Sequence, residues 1–210
     1  IFFSLLIIIF KAYNAIAQGF DIYSDFPSGN IAIEKIRNDT IYVHPDLRDT
    51  KGDWFYWCFA VEKAKGRTLT FAFTKPDVFT TMGPAVSIDG GSTWTYTGGD
   101  KVRNETFTYK FDINGQVRFS MGMPYTKVHF DRLIGPYLKS GNVKLDTLAI
   151  TEKGNGIERL IIKSQNTPAK FKILITARHH ACEMMADYVM EGIITEVMSN
   201  KWFRANVEFC

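Results

Sequence analysis

The stretch DWFYWCFAV (53–61) places aromatic side chains at successive positions, so that as a strand it is apolar on both faces. A strand of that kind has to be covered on both sides. Its neighbours carry the simpler signal of half-buried strands. TLTFAF (68–73) alternates at period two through Leu69, Phe71 and Phe73, and ETFTYKF (105–111) through Phe107, Tyr109 and Phe111. Further strands are expected at 31–36, 40–44, 85–88, 93–96 and 116–121, with no helical period between about residue 30 and residue 121. Short strands separated by Gly, Asn and Asp predict an all-β sandwich. An aromatic content of 14% suits such a core.

Beyond Pro124 the pattern changes. TKVHFDRLIGPYLKS (126–140) predicts a short amphipathic helix that stops near Gly135–Pro136. TLAIT and IERLIIKS, joined by EKGNG, form a hairpin-like pair. FKILITA (171–177) is almost continuously apolar and predicts a buried central strand. Ala186, Val189, Met190, Ile193, Ile194, Val197 and Met198 recur at helical spacing, which predicts an amphipathic helix over 183–199. NVEFC (206–210) opens a further strand. The expected organisation is a β-sandwich over 18–125, followed by the first part of an α/β domain with a mixed sheet over 126–210, cut short at its C-terminus.

The remaining features set limits. IFFSLLIIIF at the start is too short to span a bilayer, and Ala15-Ile16-Ala17 follows it as a cleavage-like A-x-A. Residues 1–17 therefore read as an export signal, the competing reading being a buried N-terminal element. The mature chain is expected in the periplasm or medium, with no stable membrane span. A net charge of +3 without a Lys/Arg cluster gives no reason to expect a nucleic-acid partner. Three cysteines, Cys58, Cys182 and Cys210, are too few and too odd in number for a disulfide framework. SIDGGSTW (87–94) fits the Asp box of sialidase-type propellers but occurs once, so a hairpin turn using Asp89–Gly90 or Gly90–Gly91 is the simpler reading. NDT (38–40) and NET (104–106) fit the glycosylation acceptor pattern.

TARHHACEMMADYVMEG (176–192) carries the one constellation with chemical potential. It follows a strand, at the edge where α/β proteins place ligands. His180 and Glu183 are spaced i, i+3 and can converge on one point. Imidazole nitrogen and carboxylate oxygen are suitable zinc ligands, and a catalytic zinc takes a third protein ligand and keeps an open position. His179 competes with His180 for that role. The other reading has no metal: Glu183 sits at a helix N-terminus where the dipole favours it, and Glu183, Asp187 and Glu191 form a solvated face.

ARHHACE resembles the A-R-x-H-x-x-E segment of zinc carboxypeptidases related to carboxypeptidase A. The preceding β-region is similar to that of the cytosolic-carboxypeptidase branch, with matching pieces in order at Trp54–Trp57, Lys75–Asp77 and Gly122–Tyr125. The resemblance runs from about residue 28 to the end. It implies that His180 and Glu183 are the first two Zn²⁺ ligands, that His179 is a variable neighbour, and that the substrate is a peptide or protein C-terminus or side-chain branch. Ala181–Cys182 stand where that branch commonly has Pro-Gly. The family's third zinc ligand, carboxylate-binding arginines and general-base glutamate lie further along its sequence, so the chain alone is expected to be inactive. The alternative is a secreted β-sandwich binding module for glycans or proteins, with Trp54, Trp57 and Trp94 as a stacking platform.

N-terminal sequencing of the exported protein is expected to begin at or near Gln18. A mature chain retaining Ile1 excludes the export signal.

Overall fold

The computed structural model describes residues 19–48, 50–52 and 54–210, and the expected export signal over 1–17 lies outside the described residues. These residues fall into two compact units, one ending at Met123 and one comprising Pro124–Cys210. Among them, no helix is long and apolar enough to cross a membrane.

Among its described residues the first unit contains nine strands: β1 (Asp21–Tyr23), β2 (Ala32–Arg37), β3 (Thr40–His44), β4 (Cys58–Glu62), β5 (Thr68–Phe73), β6 (Ala85–Ser87), β7 (Thr95–Tyr96), β8 (Thr106–Lys110) and β9 (Val117–Ser120). They form two sheets, ordered β1-β4-β9-β6-β7 and β2-β3-β5-β8. Pairing is antiparallel except between β3 and β5, where Thr40 faces Thr70 and Val43 faces Phe73. Period-two alternation in β5 puts Leu69, Phe71 and Phe73 inside and leaves Thr68 in water. In β4, flanked by β1 and β9, every residue from Cys58 to Val61 is buried.

Aromatic rings from both sheets interlock. Phe71 of β5 lies 5.0 Å from Phe59 of β4 and 5.3 Å from Phe119 of β9, while Phe107 of β8 lies 5.4 Å from Phe119. Such ring pairs add about 0.5–1.5 kcal/mol each beyond the apolar area they bury. Trp57 is fully buried among them, its indole N–H donating to the Val78 carbonyl at 2.7 Å. It therefore belongs to the core and cannot serve as a stacking platform.

SIDGGSTW forms the turn between β6 and β7. Gly90 and Gly91 take φ of +75° and +90°, so the Gly-Gly pair supplies the left-handed backbone. The Asp89 carboxylate accepts from the Ser92 and Thr93 amides at 3.0 and 2.9 Å, the Thr93 hydroxyl at 2.6 Å and the Ser87 hydroxyl at 2.8 Å. Trp94 closes the turn by donating to the Gly91 carbonyl.

The second unit holds α1 (Lys127–Ile134), β10 (Val143–Ile150), β11 (Gly156–Ile162), β12 (Phe171–Ile173), α2 (Met184–Ser199), α3 (Lys201–Asn206) and β13 (Val207–Phe209). Thr126 caps α1, its amide and hydroxyl both meeting the His129 ring, and the helix stops at Gly135. The sheet order is β10-β11-β13-β12, with β12 parallel to β13 and the other pairs antiparallel. Its core joins Val143, Ile162, Val207 and Phe209 of the sheet to Ile194 and Val197 of α2.

Two expectations are corrected here, and one element is added. FKILITA is not a buried central strand: only Phe171–Ile173 is strand, β12 lies at the sheet edge with β13 as its neighbour, and Leu174 is 74% exposed. Continuous apolarity marks surface that needs cover, but it does not say which element covers it. Val189 is exposed, because 186 to 198 carries more apolar positions than the sheet-facing side of α2 accommodates. Helix α3 was not expected. Asn200 caps it by accepting from the Trp202 and Phe203 amides, in a segment too short to show a period.

Asp89→Ala is expected to destabilise the first unit by about 1–2 kcal/mol, through loss of its hydrogen bonds to turn donors. These donors, the Thr93 hydroxyl foremost, hold the Asp89 carboxyl well below the usual carboxylate range. A depressed carboxylate contributes stability that is fully present above its unfolded pKa of about 4 and is lost as pH falls through the lower folded value. Denaturant titrations between pH 2 and 6 should show a smaller pH dependence in Asp89→Asn than in the wild type. An identical pH dependence removes Asp89 from the acid response.

Candidate metal centre

The chain leaves β12 through a turn that delivers His180 and Glu183 before α2. Backbone bonds extend the parallel ladder past β12, with the Ile175 amide donating to the Cys210 carbonyl at 2.8 Å. Arg178 then turns the chain with a φ of +55°. The Glu183 amide donates to the His180 carbonyl at 3.0 Å, closing a turn that brings the two side chains together, and Glu183 sits at the N-cap of α2.

His180 Nδ1 lies 2.7 Å from Glu183 Oε1, and the His180 amide donates to Glu183 Oε2 at 3.0 Å. Both carboxylate oxygens are thus engaged by one residue. An ionised carboxylate only accepts, so Nδ1 carries the proton in this arrangement. The His180 side chain, and then its amide, hold the Glu183 carboxyl below its ordinary range. The side chains are 67% and 43% exposed, so solvent and solutes reach both.

The donors fit zinc chemically. Ligand bonds of 2.0–2.2 Å in tetrahedral geometry separate two donor atoms by about 3.4 Å. The observed pair would have to open by roughly 0.7 Å and lose the Nδ1 proton. Exposed side chains on a turn can supply that by small rotations. His179 faces elsewhere, its Nε2 3.2 Å from the Thr176 hydroxyl. Partial burial raises the Cys182 thiol pKa, which disfavours a thiolate. Among the described residues no group of three His, Cys, Asp or Glu side chains converges.

The sequence reading missed what surrounds the pair. Arg178 Nη1 donates to the Tyr125 carbonyl at 2.7 Å and to Asp187 Oδ2 at 3.0 Å, while Nε and Nη2 reach the Ala181 carbonyl at 3.3 and 3.2 Å. Asp187 is therefore not part of a solvated face: its side chain is 19% exposed and paired. Burial raises its carboxyl pKa while Arg178 opposes the shift. Burial also pushes the Tyr125 phenol up to about 12. The Tyr125 ring meets Tyr188 edge-on at 5.1 Å, and the Tyr188 hydroxyl donates to the Pro124 carbonyl. Beside these groups a cleft of about 850 Å³ opens within the unit, with Phe130, Leu160, Leu174, Met190 and Ile193 among its apolar lining.

The sequence matches no protein-family model, and comparison with curated proteins gives no match. Solved structures do match. A metallo-carboxypeptidase from Burkholderia cenocepacia is similar with a TM-score of 0.73 at 18% identity, over 90% of this chain and 54% of that one. A metallo-carboxypeptidase from Pseudomonas aeruginosa, in complex with (2-guanidinoethylmercapto)succinic acid, has the same TM-score at 22% identity, over 90% of this chain and 53% of that one. The chain has a metallo-carboxypeptidase-like fold and spans about half the length of these structures.

Proposed function

We propose that the chain carries the first two ligands of the zinc site of an exported metallocarboxypeptidase, an enzyme that removes C-terminal or side-chain-branched amino acids from peptides or proteins. The observation that carries this reading is the convergence of His180 Nδ1 and the Glu183 carboxylate at the exit of β12, in a fold of metallo-carboxypeptidase type. Zinc held at such a site would supply a Lewis acid for a scissile carbonyl and for a bound water. His180 and Glu183 would hold the metal, and the His180 amide, by donating to Glu183 Oε2, orients the carboxylate. Asp187 is engaged by Arg178 and is poorly placed to act as a general base. The succinic acid derivative in the Pseudomonas aeruginosa structure is in keeping with a substrate that ends in a carboxylate. The order of Trp54–Trp57, Lys75–Asp77 and Gly122–Tyr125 supports the cytosolic-carboxypeptidase branch, while Ala181–Cys182 marks a departure next to the metal.

His180→Ala or Glu183→Ala is expected to abolish Zn²⁺ binding by this chain, measured by competition with a chelating dye, whereas His179→Ala should retain most of it. With two protein ligands where a catalytic zinc takes three, the 210-residue chain should bind Zn²⁺ weakly and hydrolyse no peptide. If His179→Ala alone empties the site, the ligand register is wrong.

The domain division proposed with this function is 18–125 and 126–210. The first part buries an aromatic core of its own, whereas the second leaves Leu148, Ile150 and Leu174 mostly exposed along a short open-edged sheet. Exposed edges and apolar surface favour cleavage and association. Limited proteolysis should leave a resistant piece ending near residues 122–130. Equal resistance of the whole chain, with Zn²⁺ held tightly, runs against the division.

A further inference from the structure

We infer that Arg178 is a positioning residue that sets the geometry of the His180–Glu183 pair for metal, through Ala181 and Asp187. The inference rests on the zinc reading above and concerns a residue that touches no ligand atom itself.

Arg178 holds a backbone conformation that suits glycine, with φ at +55°. For a residue with a Cβ this costs on the order of 1 kcal/mol or more. Something must hold it there, and the side chain supplies the partners. Its guanidinium joins three pieces of chain: the carbonyl of Tyr125 just before α1, the carboxylate of Asp187 in the first turn of α2, and the carbonyl of Ala181. Ala181 lies between the two ligands, so fixing its carbonyl fixes the 181–182 peptide plane of the turn that joins them. Asp187 lies one helical turn after Glu183, so the ion pair also fixes the start of the helix from which Glu183 projects.

Tyr188 secures the same anchor by donating to the Pro124 carbonyl at 3.2 Å. Met184, buried beside Glu183, and Tyr188 hold the helix start without Arg178, but no other side chain bonds the Ala181 carbonyl between the two ligands among the described contacts. A lysine keeps the charge facing Asp187 but lacks the planar fork that serves two carbonyls and a carboxylate together.

The test compares the wild-type 210-residue chain with Arg178→Ala, Arg178→Lys and Asp187→Asn. Far-UV circular dichroism controls for folding. One readout is hydrogen exchange of the His180 and Glu183 amides without metal. The other is Zn²⁺ titration followed by the His180 ring signals in NMR. Arg178→Ala is expected to speed exchange at these two amides while the interior of α2 is unchanged, and to weaken Zn²⁺ binding by up to about tenfold, at or below the low end of what losing a partner bonded directly to a ligand costs. Arg178→Lys should fall between Arg178→Ala and the wild type, a graded rescue that a purely packing role would not give.

Wild-type exchange and wild-type Zn²⁺ response in a folded Arg178→Ala overturn the inference. If Arg178→Ala does not fold, unaltered exchange and binding in both Arg178→Lys and Asp187→Asn overturn it instead. A wild-type chain whose His180 signals ignore Zn²⁺ sinks the zinc reading. The metal-free exchange comparison then still decides whether Arg178 orders the turn.

Discussion

Two parallel strands cannot be joined by a tight turn, and the parallel pairing of β12 with β13 obliges the chain to travel away from the sheet and return. It does so through α2 and α3. The turn at the exit of β12 is the place where that excursion begins, and His180 and Glu183 occupy it. The core made by Ile194 and Val197 against Val207 and Phe209 holds the far end of α2 on the sheet. The near end, next to Glu183, is secured by burial of Met184 together with polar contacts. Apolar burial holds both ends of the helix, and hydrogen bonds add direction to the residues that lead into it.

Those hydrogen bonds have a particular division of labour. Within the pair, one carboxylate takes both the ring and the amide of a single histidine, an arrangement that keeps donor and acceptor adjacent when no cation lies between them. Around it, a second carboxylate, Asp187, is neutralised by a guanidinium. Keeping the two acidic groups with separate cationic or donor partners prevents them from competing. The exposed carboxylate is solvated and needs no permanent cation, whereas the partly buried one is offset by its arginine.

Much of the fold was legible because it depends on local periodicity. Strands β3 and β5 stand where alternation places them, and α2 runs where apolar spacing places it. Legibility failed where the deciding partner is remote or the element short. β12 looks central by composition, yet its surroundings depend on which strands reach it. Helix α3 has six residues and announces itself only by the Asn200 cap. At the candidate site, the i, i+3 spacing of His180 and Glu183 is visible in the letters. The role of Arg178 is not: its bond to Tyr125 spans 53 positions and ends on a backbone carbonyl, which every residue possesses.

The turn over 87–94 shows the opposite limit. Each bond made by the Asp89 carboxylate, and the Trp94 bond that closes the turn, ends within the same eight residues. Such a device is thermodynamically self-contained: it asks of its host only two antiparallel strands to join. Its lettering can therefore recur in a propeller blade or a sandwich without shared ancestry or shared chemistry. The reach of a motif's bonds measures how much it can say about the protein around it, and by that measure the most conspicuous string in this chain is also among the least informative.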